Sequence, residues 1–148
     1  MGALGKDRDL LELDRHLGRT EPDLRRACRP FAENCGFTIA EGAQFVVLLD
    51  DALAVELGAT VHGAVTDVQV HADGYKKSIS SPGIGNYITF TKAVARAMRD
   101  IGEEPVRRRS FVQAHGTGTP QNRTSESQIL SRIAGAFGIE NWPIAAIK

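Results

Sequence analysis

Ser110 to Thr119 reads SFVQAHGTGT, a short apolar run that stops at a histidine and two glycine-threonine pairs. Phe111 and Val112 suit a buried strand, while Gly116 and Gly118 let the backbone turn sharply and a ligand approach closely. His115 therefore falls where a strand ends. Ligands of open α/β sheets collect at the carboxyl ends of strands, so an imidazole here, beside the hydroxyls of Thr117 and Thr119, is placed to face a crevice. Each of these residues taken singly fits a glycine-rich turn with a hydrogen-bonded histidine. The combination favours a binding loop.

The flanking segments supply a scaffold. Upstream, Asn86 offers an N-cap, and Tyr87, Phe90, Val94, Ala97, Met98 and Ile101 follow at helical spacing up to Gly102 and Pro105. That aromatic and methionine stripe reads as core rather than as a cofactor site. Arg107-Arg108-Arg109 reads as a solvated turn before the strand, with a docking contact for an acidic partner as the second meaning. Downstream, Ser125 and Gln128 form a capping box ahead of Ile129, Leu130, Ile133 and Phe137, with Gly138 as the stop. Ile144 to Ile147 is then a closing strand. Strand, loop, helix and strand in this order predict a parallel, right-handed unit and an α/β fold.

Further toward the N-terminus, Phe45 to Leu49 is short, apolar and rich in β-branched residues, which predicts a strand buried on both faces. Asp50 caps a helix that runs to Leu57 and stops at Gly58. Val61 to Val70 alternates imperfectly and predicts a bent or partly exposed strand. His71 to Gly85 reads as a long loop, a feature often tied to function. In the lead segment, residues 1–28, Leu10, Leu11, Leu13 and Leu17 suit one face of a short helix that Glu21-Pro22 breaks; its role is unassigned.

A chain of 148 residues suits one domain. Its 18 basic and 18 acidic side chains balance, so neither nucleic acid nor an anionic membrane is expected as a partner. Cys28 and Cys35 form no CxxC pair and have no histidine cluster beside them, so no metal site or disulfide framework is indicated. Both are expected to be reduced. No stretch approaches the roughly 20 apolar residues of a membrane span, and a cytoplasmic protein is the expectation.

The stretch His115-Gly116-Thr117-Gly118-Thr119 resembles the HGTGT signature of the β-ketoacyl synthases, condensing enzymes of fatty-acid and polyketide assembly. More of that pattern lies in order on both sides. Arg29-Pro30-Phe31 and Gly36 to Ala43 are similar to the family's PFD and GFVxGEGA segments, and Thr119-Pro120, Asn122 and Glu126 to its TPxNDxxE. Ile144 to Lys148 is similar to the strand that delivers the family's lysine. The resemblance implies a partial thiolase-like α/β fold over residues 29–148, with layered helices and a mixed sheet.

It also implies a chemistry, decarboxylative Claisen condensation of acyl and malonyl thioesters. The family needs donors where an enolate oxygen develops as carbon dioxide leaves, and His115 corresponds to one of two histidines with that task, acting as a neutral imidazole. Thr117 and Thr119 would hold the amides of the phosphopantetheine arm. Glu126 and Lys148 would meet near the active site, since a buried ammonium needs a partner; a solvated first turn is the alternative for Glu126. Asp73 with Ser81-Pro82 is similar to a family loop and carries no assigned catalytic role. No cofactor is implied, because substrates ride on the phosphopantetheine of an acyl carrier protein or on coenzyme A. The implied partners are that carrier protein and the remainder of a synthase or a homologous subunit, as a dimer.

Two family groups have no counterpart in these residues: the nucleophilic cysteine, for which neither Cys28 nor Cys35 stands in, and the second histidine. The 148 residues alone are therefore expected to be inactive. Arg123 stands where the family has aspartate, reversing a charge beside Glu126, and its partner is not evident. The alternative function is a non-catalytic relative acting as a binding or partner subunit. A third reading, an anion-binding loop in a nucleotide module, lacks the lysine and spacing of a P-loop.

Overall fold

The computed structural model describes residues 29–32, 41–74 and 83–147. The lead segment, both cysteines, Ser81-Pro82 and Lys148 lie outside the described residues. The elements in chain order are helix α1 (Asp51–Glu56), helix α2 (Ile84–Ile101), helix α3 (Glu103–Arg109), strand β1 (Val112–Gln113), helix α4 (Pro120–Phe137) and strand β2 (Ile144–Ala145).

The core forms where α2 packs against α3 and α4. Val94 of α2, Val106 of α3, Ile129 and Ile133 of α4, and Ile139 just beyond it make one buried cluster, closed over by Tyr87, Phe90, Met98, Phe137 and Trp142. Ile133 is fully buried. The helical spacing read in α2 thus holds as far as Met98, whereas Ile101 in its last turn is exposed. Phe90 and Trp142 meet with ring centroids 5.7 Å apart in a tilted arrangement. The Trp142 indole donates to Ser110 Oγ at 2.8 Å, which ties the approach to β2 to the approach to β1. Those strands run parallel, Val112 opposite Ile144 and Gln113 opposite Ala145, as the strand, loop, helix, strand order predicts.

Several helix ends differ from the sequence reading, each for a local reason. Helix α2 starts before Asn86, because Gly83 takes a left-handed φ of 75° and turns the chain in earlier. Gly83 has no side chain to cap with, and Asp73 does so from the preceding loop: its Oδ1 accepts the Gly85 amide. Gly85 allows that approach, since a Cβ there would lie 2.6 Å from the Ala72 backbone. Arg107, Arg108 and Arg109 are not a turn but the last turn of α3. Glu103 and Glu104 lead that helix and pair with Arg107 and Arg108 four residues on, so acidic and basic ends complement the helix dipole. Arg107 Nε also donates to the Phe137 carbonyl at 2.9 Å, serving an acceptor at the end of α4. Ser125 and Gln128 form no capping box. Helix α4 begins at Pro120 with Thr119 as its N-cap, and Ser125 Oγ donates to Gln121 O inside the helix.

Helix α1 follows expectation: Asp50 accepts the Ala52 amide at 3.0 Å, and Gly58 ends it at φ 60°. The strands predicted at Phe45 to Leu49 and Val61 to Val70 do not form. A strand needs a neighbour to bond, and the described residues offer these segments none. Phe45 is 94% exposed.

Replacing the buried Ile133 by Ala should cost about 2 to 5 kcal/mol of stability. The Phe45→Ala change, at an exposed site, should stay within about 0.5 kcal/mol. Urea unfolding of the 148-residue chain, followed by the fluorescence of its single tryptophan, Trp142, measures both.

Candidate functional site

Strand β1 and helix α4 together shape the loop from Ala114 to Thr119. The Ala114 amide still bonds the Ala145 carbonyl at 2.8 Å, so the chain leaves the sheet only at His115. There the His115 and Gly116 amides both turn toward Glu126. Its Oε1 accepts from His115 N at 2.8 Å and its Oε2 from Gly116 N at 2.9 Å. Asn122 Nδ2 donates to the same Oε2 at 2.7 Å and fixes the carboxylate from one helical turn earlier. Bonds to an ionised acceptor are shorter and about twice as strong as neutral ones. Two loop amides with no sheet partner are thereby satisfied by one side chain.

The threonines complete the junction. Thr119 Oγ1 accepts the Asn122 amide at 3.3 Å as N-cap, and Thr117 Oγ1 lies 3.3 Å from Thr119 Oγ1. Thr117 is buried. Gly116 is required on two counts. Its φ of 58° is left-handed, and a Cβ there would collide with the Ala146 side chain beyond β2 and stand 3.4 Å from Pro30.

A cleft of about 690 Å³ opens at this loop. His115, Thr117, Thr119, Asn122 and Glu126 line one side, and Asp73, Asn86 and Phe90 line another. His115 is exposed rather than packed in hydrocarbon. Of the residues named from sequence, His115, Thr117, Thr119 and Glu126 are therefore brought together, while Lys148 lies outside the described residues.

Glu126 departs from the solvated first turn offered as its alternative: it lies in the second turn of α4, half-buried, and clamps the loop backbone. The signal was available in the spacing. Seven residues from the Thr119 cap is two turns, which returns Glu126 to the face of the helix that meets the loop. Arg123 also has its partner: Nη1 donates to the Ala32 carbonyl at 2.8 Å, a contact 91 residues distant in sequence that no local pattern announces. Asp73 reaches the cleft wall as well as bonding Gly85. Among the described residues, no group of three or more His, Cys, Asp or Glu side chains is placed to hold a metal ion, and no helix is long and apolar enough to cross a membrane.

No family model matches the chain. Among curated proteins, it is 58% identical over all 148 residues to the beta-ketoacyl-acyl-carrier-protein synthase FabY of Pseudomonas aeruginosa, covering 23% of that protein. It is 31% identical over 123 residues, 82% of the chain, to 3-oxoacyl-acyl-carrier-protein synthase 2 of Synechocystis, covering 28% of it. The chain thus spans about a quarter of the length of these relatives. Among solved structures, the crystal structure of the noncanonical ketosynthase FabY from P. aeruginosa superposes with a TM-score of 0.82 at 60% identity, over 94% of this chain and 21% of that one. The fold is that of part of a thiolase-like ketosynthase.

Glutamine at position 126 would keep one acceptor oxygen and turn an amide nitrogen toward a backbone donor. The Glu126→Gln change should leave one loop N–H unpaired at a cost of about 1 to 3 kcal/mol. Hydrogen exchange at the His115 and Gly116 amides checks this, with both expected to speed up while the amides of α2 stay protected.

Proposed function

We propose, from the chain's homology over its whole length to one segment of the β-ketoacyl synthases, that these residues furnish part of the enolate-stabilising site of a condensing enzyme. The observation that carries the reading is His115. It stands at the end of β1 on the wall of the cleft, on a backbone that Glu126 ties to α4.

In the proposed reaction the bond between the malonyl methylene carbon and its carboxylate breaks, and carbon dioxide leaves. The electron pair passes into the thioester carbonyl, giving an enolate whose carbon attacks the acyl thioester held on the enzyme; the new carbon–carbon bond forms as the acyl carbon–sulfur bond breaks and the enzyme's thiolate is released. His115 donates a ring N–H to the oxygen on which this charge develops. It acts as a donor and not as a base, since the carbanion arises by loss of carbon dioxide and no proton has to be removed. A donor held in place before the charge appears needs no reorganisation as the reaction proceeds, and each such donor contributes about 2.7 to 4 kcal/mol. The anchoring of its peptide by Glu126 gives His115 that fixed position.

Thr117 and Thr119 lie beside it with hydroxyls at the cleft and bond the amides of a phosphopantetheine arm, so the partner is an acyl carrier protein. Glu126 has the loop as its first task and Lys148 as a second partner. Residues 29–148 act as one part of the thiolase-like domain, and the nucleophilic thiolate, the second imidazole and the cover that excludes water from His115 come from polypeptide outside the 148 residues. Pairing with a second subunit, as a dimer in the cytoplasm, completes this reading.

The test is made in the full-length gene product. His115→Ala should lower malonyl-thioester decarboxylation and condensation roughly 10²- to 10³-fold. Unchanged turnover in a folded variant would overturn the assignment. The 148 residues expressed alone should show no turnover above their own His115→Ala control.

A further inference from the structure

The turn at residues 29–32 combines two features that are each unfavourable by themselves. Phe31 adopts a left-handed φ of 63°, a conformation in which a side chain crowds its own backbone and which glycine normally fills. Arg123, the fourth residue of α4, places a cation near the positive end of the helix dipole. A hydrogen bond joins them. Arg123 Nη1 donates to the Ala32 carbonyl at 2.8 Å, and the Ala32 amide closes the turn on the Arg29 carbonyl at 3.1 Å.

The position of this turn gives the contact a consequence. Pro30 lies under Gly116, 3.4 Å from the place a Cβ would occupy, with Ala146 on the same glycine. The backbone that carries His115 is thus held from two directions by one helix. Glu126 draws the His115 and Gly116 amides toward α4, and Arg123, three residues earlier on that helix, draws the supporting turn in against Gly116.

We infer that Arg123 is a positioning residue for His115, acting through the turn at residues 29–32 and the backbone of Gly116; the inference rests on the catalytic reading of His115 given above. A strained turn persists only where its surroundings hold it. Without the guanidinium, Phe31 relaxes, Pro30 withdraws from Gly116, and His115 loses its fixed distance to the reacting oxygen. Displacements of about 1 Å at such a site cost up to about 10²-fold in rate. The side chain of Arg123 is not part of the buried cluster of α2, α3 and α4, so its replacement leaves that core in place.

The experiment compares Arg123→Met, which keeps an apolar stem of similar reach without a donor, with Arg123→Lys, which keeps a donor, in the full-length gene product. Arg123→Met should lower kcat for malonyl-thioester decarboxylation about tenfold with KM within about twofold of wild type, and Arg123→Lys should recover most of the loss. Melting temperatures of both variants are measured alongside. Wild-type kcat in a folded Arg123→Met variant overturns the inference. So does a loss of kcat that merely tracks the folded fraction and is equal in the lysine variant. Amide exchange at Gly116 separates this inference from the functional reading on which it rests. If the wild-type protein shows no turnover, the catalytic reading of His115 fails. Exchange that is faster in Arg123→Met and restored in Arg123→Lys then still supports the positioning contact, and equal rates in all three proteins reject it.

Discussion

One carboxylate accepting from the His115 and Gly116 amides is the constraint on which the rest of this site depends. A loop that leaves a strand loses its ladder partners, and an amide without a partner costs free energy if it is buried and order if it is not. Glu126 resolves both with its two oxygens, and Asn122 keeps the carboxylate aimed. Because Glu126 sits on a helix whose Ile129 and Ile133 lie in the core, the loop inherits the rigidity of that core. A five-residue loop with two glycines would otherwise be among the most easily deformed parts of the molecule.

Close approach of backbones is the second theme. Gly116 sits against Ala146 and near Pro30, and Gly85 sits against Ala72 and Asp73. Both glycines are needed for contact and not for turning alone. The first lets the loop after β1 lie on the residues after β2; the second lets the Asp73 loop cap α2 and form part of the cleft wall. The cleft therefore opens beside two places where the absence of a side chain lets neighbouring segments come close. Its polar lining comes from the ends of elements, as sites on open sheets generally do.

Sequence periodicity is sufficient for α2 and α4 because each carries a long apolar face over a complete helix, and short apolar runs place β1 and β2, although β1 starts only at Val112, and Phe111, expected in a buried strand, is 66% exposed. It failed at boundaries. Asn86 and Ser125 are good caps in isolation, but Gly83 with Asp73 and Thr119 with Pro120 begin the helices earlier, and a cap supplied by a residue 12 positions away leaves no local trace. Pro105 reads as a break and so puts the arginines before β1 in a turn, whereas proline is tolerated in the first turn of a helix. For the site, residue types and spacing were enough to gather His115, Thr117 and Thr119. The two-turn spacing from Thr119 places Glu126 on the loop-facing side of α4, but what it holds there needs geometry, since a glutamate on an amphipathic helix is usually solvated. The partner of Arg123 needed the fold itself.

The exposed apolar segments carry the remaining argument. Phe45, Val46, Val47 and Leu48 are each mostly exposed among the described residues, as are Val61, Val65, Val68 and Val70. Phe45 to Leu49 has the composition of a strand covered on both faces and Val61 to Val70 that of a bent or partly exposed one, so the difference from the sequence reading concerns pairing and not residue type. Contiguous apolar surface of this kind is uncommon on a monomer and marks a place where other polypeptide packs. A chain that spans about a quarter of its relatives' length is expected to have such faces. The ordered core of α2, α3 and α4 and the unpaired segments before it then follow from one condition. The elements that find partners among the described residues pair and pack, and Phe45 to Leu49 and Val61 to Val70, which find none there, keep the sequence of a strand without its ladder.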